Sequence, residues 1–482
     1  MTNLLFFWTV LASSAVGTVE YRSIVEAVRA ANPSIENYIE GKAVGIDVEN
    51  RVLRFKLESL LEDTREGDPP MGEIQYDKLV VAVGCKVMTS IVPGAEEYCY
   101  KLKSCDDARK LRTAVGECLE FASRPCVAPD STLSPEEAES RSLARRKRLT
   151  WVIIGGGERV FVQAKHERVI VCVSIVLVNT HTTAASLTKH SGPTGVELAG
   201  ELSDFVKDIT KDRVGAYNKL KGEVKIMLVE GGPALVPPFE ERLRQHALES
   251  LTKEGVDVRL NTFVKEVGDG YIKLQHRDGG DIETIETGFN VWAAGITPAP
   301  FVETLLSKLP DEAKGPRGRI NVDRWLRCPT PSKESFGSIL VMGDAAAFES
   351  GDGQVLPQTA QVAAQQGAFV ARMLDREYDL SVTPPKRDEN ESELGAWMKI
   401  RGLEEAPGFK FLNLGILAYL GDGEALSQIH LGDVPIFSYG GSVAFMLWRS
   451  VYLVKQVATR NRALVLFDWL KCKVFGRDIT RF

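Results

Sequence analysis

The chain has only eight cysteines in 482 residues, at positions 85, 99, 105, 118, 126, 172, 328 and 472, and none stands in a Cys-x-x-Cys pair. Without that spacing neither a dithiol redox centre nor a local zinc site is encoded, and no Cys/His set has metal-ligand spacing. Cys99 and Cys105, the nearest pair, read as free thiols of a reducing compartment. No run of about 18 uninterrupted apolar residues occurs, so a membrane-crossing helix is not expected. No EF-hand loop is present, which leaves no ground for calcium control. Positive charge is not in surplus: 59 Lys and Arg face 65 Asp and Glu, a formal −6, which argues against a nucleic-acid partner. The opening MTNLLFFWTVLASSAVG carries an apolar stretch from Leu4 to Leu11 with small residues after it. It has no positively charged lead and no Arg-rich amphipathic pattern, so neither a secretory signal nor a mitochondrial presequence is read there.

What is present is an ordinary globular composition, 44% hydrophobic and 26% charged, long enough for two or three domains. Short apolar runs that end in glycine alternate with helical patterns, which predicts an α/β fold with parallel sheets. YDKLVVAVG (Tyr76–Gly84), LTWVIIGGG (Leu149–Gly157), VKIMLVEGG (Val224–Gly232), FNVWAAGITP (Phe289–Pro298) and SILVMGDAAAF (Ser338–Phe348) read as buried strands that run into turns. CDDARKLRTAVGECLEFA (Cys105–Ala122) reads as an amphipathic helix, and Val127–Arg148 as a charged loop or exposed helix.

Between the second and third of a set of glycines the chain does something unusual. Gly155-Gly156-Gly157 followed directly by Pro193-Thr194-Gly195 would spell GGGPTG, a GxGxxG between a buried strand and the helix PTGVELAGELSDFV. The first glycine of such a turn makes the bend, the second lets the backbone approach a pyrophosphate, and the third permits close helix–strand packing. Glu230 ends the next strand, where an acid accepts from a ribose 2′-hydroxyl and repels a 2′-phosphate, so NADH is favoured over NADPH. Yet 35 residues, Glu158 to Gly192, stand inside this turn, including an apolar run from Val169 to Val178. Gly157-Glu158-Arg159 can be encoded with a splice-donor-like GTGAGCG, and Ser191-Gly192 with an acceptor-like CAG. The segment is therefore read as an unspliced, in-frame intron; the competing reading is a genuine surface-loop insert at a tolerant tip.

With the segment set aside, WVIIGGG/PTGVELAGEL resembles the NADH-binding turn of type II NADH:quinone oxidoreductases, single-chain, FAD-containing respiratory dehydrogenases that do not pump protons. LASSAVGTVEYRSIVEAVR (Leu11–Arg29), YDKLVVAVG, VWAAGITPAPF, VMGDAAAF and PQTAQVAAQQG are similar to successive family segments, the last containing the family's AQxAxQ motif. FKFLNLGILAYLG and the final LWRSVYLVKQVATRNRALVLFDWLKCKVFGRDITRF resemble the carboxy-terminal end of mitochondrial members. One family element is not found: no GxGxxG for the ADP part of FAD precedes Gly155. The resemblance implies two doubly wound dinucleotide-binding domains, for FAD and for NADH, with the first βαβ unit of the FAD domain and any transit peptide missing, and a carboxy-terminal membrane-associating domain. The expected boundaries are 1–147 and 286–380 for FAD, 148–285 for NADH and 381–482 for the carboxy-terminal domain.

The roles implied follow the matched motifs. Gly155, Gly157, Gly195 and Glu230 would hold NADH, and Glu197, in the first turn of the helix, its nicotinamide-side ribose. Ala294 and Gly295 are small enough to let the nicotinamide approach the flavin. Gly84, Gly343 and Asp344 would hold FAD, Asp344 following a strand and beginning a helix. Gln361 and Gln365, spaced i and i+4 on one helical face, would offer neutral hydrogen-bond donors to a quinone. From Arg449 to Arg481 there are eight Lys and Arg against two Asp. With Trp448, Tyr452, Phe467, Trp469 and Phe475 placed at headgroup level, this reads as an in-plane helix pair at a lipid surface. The expected activity is flavin-dependent transfer of two electrons from NADH to ubiquinone by a homodimer on the mitochondrial inner membrane. The alternatives are a non-catalytic fragment that holds no FAD, and a sulfide:quinone oxidoreductase, for which Cys85 and Cys328 are the candidate reactive thiols.

Overall fold

The computed structural model describes residues 4–6, 10–32, 35, 37–57, 71–124, 134–155, 193–211, 217–351, 353–387, 404–431, 434–456 and 458–478. The chain has a mixed α/β fold and packs as two compact units. The larger comprises residues 5–26, 87–295 and 414–482, and the smaller 1–4, 27–86 and 296–413.

The larger unit is built on five strands: β1 (Cys99–Lys101), β2 (Thr150–Ile154), β3 (Lys225–Val229), β4 (Val256–Arg259) and β5 (Phe289–Trp292). They lie in the order β4-β3-β2-β5-β1, each neighbouring pair parallel. Their sequences are continuous apolar runs because both faces are buried. Along β2 successive side chains alternate: Trp151 and Ile153 enter one core, Val152 and Ile154 the other. Helices α1 (Cys105–Ser123), α2 (Thr194–Ile209) and α3 (Glu241–Lys253) supply the first core with Leu111, Leu198, Leu202 and Leu251. An antiparallel sheet of Thr262–Gly268, Tyr271–His276 and Glu283–Glu286 supplies Val264, Val267 and Ile272 to the second. Helix α1 begins with a capping box, in which Ser104 Oγ accepts from Asp107 N and the Asp107 carboxylate accepts from Ser104 N.

The expected boundary at residue 147 is displaced by this sheet. Cys99, Tyr100 and Lys101 register against Asn290, Val291 and Trp292, so residues 87–147 pack with the nucleotide-type sheet rather than with the smaller unit.

In the smaller unit Leu79–Val81 pairs in parallel with Ile339–Val341, and Gly41–Asp47, Val52–Leu57 and Met71–Gln75 form an antiparallel sheet. Helix α4 (Ala360–Asp375) buries Val362, Gln366, Phe369, Val370 and Met373 along one stripe. Asp344 does not begin a helix as expected. It sits in a 3-10 turn, Gly343–Ala345, after which Ala346–Phe348 extends as a strand paired with Ile320–Val322, and α4 starts only at Ala360. Burial of that short apolar triplet in a parallel pair outweighs its helix propensity.

The carboxy-terminal part divides at 413 rather than standing apart from 381 onward. Strands β6 (Ile416–Gly421), β7 (Glu424–Leu431) and β8 (Val434–Gly441) form an antiparallel sheet, followed by helices α5 (Ser442–Val454) and α6 (Thr459–Phe475). Leu420, Leu426, Trp448, Tyr452 and Trp469 join the first core of the larger unit. The approach is close enough to require Gly200 on α2, where a Cβ would stand 2.5 Å from the Leu420 carbonyl carbon. Three of the five aromatics assigned to a lipid surface therefore face this core; Phe467 and Phe475 remain exposed.

Candidate active site

In the larger unit the carboxyl ends of β2, β3 and β5 converge, the position at which open parallel sheets bind nucleotides. Gly155, just past β2, has φ +103° and donates its N–H to Val229 O at 2.7 Å. A side chain here would meet Ala294, whose Cβ lies 2.7 Å from the place a Cβ would take. Gly195, 40 positions along the chain, opens α2 against the same turn: a Cβ on Gly195 would overlap the carbonyl oxygen of Gly155. The first and last glycines of the divided motif are thus in backbone contact. Gly156, Gly157 and residues 158–192 lie outside the described residues.

Glu230 follows β3 and is fully buried. Its Oε1 accepts from Gly232 N at 2.8 Å, and its own backbone pairs with Arg259 O and Thr262 N. The strand-end position expected of it is confirmed, and one carboxylate oxygen also braces the Gly231-Gly232 turn. Ala294 is buried, and Gly295, with φ +64°, sits against Met88.

Glu197 is placed differently from the expectation. Its carboxylate accepts from Tyr419 N at 3.4 Å, which turns it toward the carboxy-terminal sheet. Burial drives its carboxyl up to about 7, with the Tyr419 N–H working in the opposite direction. It heads a row of acids on α2 that the sequence reading did not single out: Glu201, Asp204 and Asp208 follow at helical spacing. Ser13 Oγ donates to Glu201 at 2.5 Å, Asp422 N to Asp204 at 2.8 Å, and Tyr419 Oη also donates to Asp204. Arg477, buried near the end of the chain, reaches this row, with Nη1 to Glu201 at 2.9 Å and Nε to Asp208 at 3.0 Å. The i, i+4, i+7, i+11 spacing marked a face; only the fold brings a guanidinium from 276 residues away to it.

In the smaller unit the Gly343–Asp344 turn ends the Ile339–Val341 strand. Gly343 has φ +67°, and Cys85 Sγ donates to Asp344 Oδ2 at 2.8 Å. Gly84 has φ +66°, and among the described residues no atom lies within 4 Å of where its Cβ would stand, so a backbone cradle stays open beside that thiol. On α4, Gln361 and Gln365 share a face as expected. The Gln365 amide is engaged on both sides: Nε2 donates to Leu412 O at 2.8 Å, and Oε1 accepts from Leu412 N at 2.9 Å. Gln366, which the motif reading passed over, is buried and accepts from Gly343 N at 2.7 Å. Its place on the stripe with Val362, Phe369 and Val370 was the available signal. Cys328 is fully buried, and burial pushes its thiol up to about 12. It is held as an inert thiol, unlike a sulfur nucleophile, which removes one of the two cysteines a sulfide oxidoreductase would need.

A parallel sheet with a glycine-built turn at its carboxyl edge, in one unit, and a Gly-Asp strand end with an open glycine cradle, in the other, define the class as a two-domain pyridine-nucleotide oxidoreductase. The profile of the pyridine nucleotide-disulphide oxidoreductase family matches residues 2–158 and 191–367, passing over 159–190, and that of the NDH2 C-terminal domain matches 413–478. A probable NADH dehydrogenase of Dictyostelium discoideum is 31% identical over 481 residues, covering 100% of this chain and 84% of that protein. External NADH-ubiquinone oxidoreductase 2, mitochondrial, of Saccharomyces cerevisiae is 29% identical, over 99% of this chain and 76% of that protein. NDH2 from Plasmodium falciparum, solved in complex with NADH, shares the fold with a TM-score of 0.75 at 18% identity, over 99% of this chain and 93% of that one. The sulfide:quinone oxidoreductase of Aquifex aeolicus gives a TM-score of 0.56 at 13% identity, over 99% of this chain and 88% of that one. The chain belongs to the pyridine nucleotide-disulphide oxidoreductases, in the branch of the type II NADH:ubiquinone oxidoreductases.

The cofactors of this class are FAD and NADH. The residues described fit NADH at Gly155, Gly195, Glu230, Ala294 and Gly295. They fit the flavin side of FAD at Gly84, Gly343 and Asp344.

Proposed function

We propose that this chain takes two electrons from NADH and delivers them, through FAD, to ubiquinone without pumping protons, at the surface of the mitochondrial inner membrane. The observation that carries the reading is the backbone contact of Gly155 with Gly195 at the carboxyl edge of a parallel sheet. There the first amides of α2 face a pyrophosphate, and the helix dipole favours its charge. Glu230 accepts from the ribose 2′-hydroxyl, and the small Ala294 and Gly295 leave room for the nicotinamide. Bound FAD supplies the hydride-accepting and electron-donating chemistry. Gly84, with open space where a Cβ would stand, and the left-handed Gly343 would admit it, and Asp344 would hydrogen-bond its ribityl region. Gln361 offers an amide to a quinone carbonyl, and Gln365 offers its own when the Leu412 clasp opens.

Residues 158–192 are dispensable to this chemistry, as expected of a retained intron. The match of the family profile on either side of the segment supports that reading. Among the described residues no helix is long and apolar enough to cross a membrane. Val443 and Met446 on α5, and Phe467, Leu470, Val474 and Phe475 on α6, are more than half exposed. With the basic residues of the same segment they suit an anionic lipid surface, where ubiquinone dissolves. A homodimer is part of the same proposal.

The test is direct. The purified chain, and a version lacking 158–192, are loaded with FAD, their visible spectra recorded, and NADH oxidation followed with a soluble ubiquinone analogue. A flavin spectrum with quinone-dependent NADH oxidation in the shortened version supports the reading. A shortened version that binds FAD and NADH but passes no electrons to the quinone contradicts it.

A further inference from the structure

The Gly343–Asp344 turn is fastened by a segment that the activity already uses for another purpose. Gln366 is buried on α4, and its Oε1 accepts from Gly343 N at 2.7 Å. Only an acceptor can face that N–H, so the orientation of the amide is fixed by the bond it makes. Eight residues earlier, Gln358 Nε2 donates to the carbonyl of Asp344 at 2.9 Å. Between them Ala363 lies under Gly343, 3.4 Å from where a Cβ would stand. The turn carrying Asp344 is thus held at the N–H of one residue and the carbonyl of the next, both by glutamines flanking or within the quinone-motif helix. The Gly343 N–H is only partly buried, and loss of its partner costs about what a hydrogen bond contributes.

We propose that Gln366 is a positioning residue: it fixes the Gly343–Asp344 turn so that the Asp344 carboxylate is presented to the flavin, and it ties the helix bearing Gln361 and Gln365 to the flavin-side turn. The inference rests on the oxidoreductase reading above for what Asp344 holds, but the brace itself does not. Gln366→Met keeps an unbranched chain of similar volume and removes the acceptor. Gln366→Glu keeps an acceptor oxygen whether or not its carboxyl is protonated. Gln358→Met loosens the other end of the turn from a less buried position.

The experiment compares these variants with the parent in two readouts: amide hydrogen exchange at Gly343, and the FAD dissociation constant from flavin fluorescence. Thermal melting serves as the control for folding. Gln366→Met is expected to speed exchange at Gly343 and to weaken FAD by about tenfold, the effect of one lost hydrogen bond. Gln366→Glu should stay within about threefold of the parent, because the acceptor survives. Should Gln366→Met fail to fold, Gln358→Met carries the same expectation in a milder form. Unchanged exchange, unchanged FAD affinity, or a Gln366→Glu chain as impaired as Gln366→Met overturns the proposal. A parent chain that takes up no FAD would count against the oxidoreductase reading instead. In that case exchange alone decides the brace: faster in Gln366→Met and restored in Gln366→Glu upholds it, and no difference overturns it.

Discussion

Glu197 gives the sharpest quantitative prediction. It is buried where the first turn of α2 meets the carboxy-terminal sheet, and burial lifts its carboxyl from the ordinary 4.5 to about 7. The groups around it are Tyr419 on β6, Trp448 and Tyr452 on α5 and Glu201 on its own helix; none supplies a compensating positive charge at the carboxylate itself. The folded chain therefore binds a proton more tightly than the unfolded chain does. Below about 4.5 both forms are protonated and no energy is at stake. Between about 4.5 and 7 the unfolded chain ionises while the folded chain does not, and stability falls as pH rises. Above about 7 the full cost is present. With a tenfold change in proton affinity worth about 1.4 kcal/mol, that cost is about 3 kcal/mol. Glu197→Gln keeps an oxygen for the Tyr419 N–H and has no proton to lose. Denaturant unfolding at pH 4.5 and pH 8 should therefore show the variant gaining about 3 kcal/mol over the parent between the two conditions. All other titrating groups are common to both proteins and cancel. Parallel stability profiles for the two proteins would refute the reasoning.

Other consequences are equally open to measurement. Gly195→Ala puts a methyl group into the Gly155 carbonyl and should weaken NADH by about 100-fold in a fluorescence titration, because the turn can no longer close. Arg477→Met takes the guanidinium away from the buried carboxylate of Glu201, and should cost about 3 kcal/mol in chemical unfolding while leaving FAD affinity unchanged. Phe467→Glu with Phe475→Glu removes apolar area from the exposed stripe of α6 and should reduce co-sedimentation with anionic lipid vesicles by about tenfold or more, without shifting the melting temperature.

The parts of this molecule written in local sequence were legible: strands ending in glycine, the capped α1 helix, the acid at the end of β3, and the two ends of a divided glycine turn. These depend on turn chemistry and periodicity within a few residues. What escaped was set by partners distant in the chain. Strand β1 joins the nucleotide-type sheet because it lies beside residues 289–292, and nothing within residues 87–147 announces that neighbour. Glu197 was assigned to the nucleotide from its motif position, but its side chain turns to a backbone amide 222 residues away. Trp448, Tyr452 and Trp469 have the composition of an interfacial belt, and composition does not say which aromatic faces the core. The AQxAxQ motif drew attention to Gln361 and Gln365, yet the amide of that helix that bonds the Gly343–Asp344 turn is their neighbour Gln366, visible only as a polar residue on an apolar stripe.

The central claim is that Gly155 and Gly195 belong to one working cradle whatever lies between them. Titration of NADH into the chain lacking residues 158–192, set against the full chain, tests it most directly. The account predicts that the shortened chain binds NADH at least as tightly as the full one, and that it loses that binding on Gly195→Ala. A shortened chain that folds yet no longer binds NADH would contradict it.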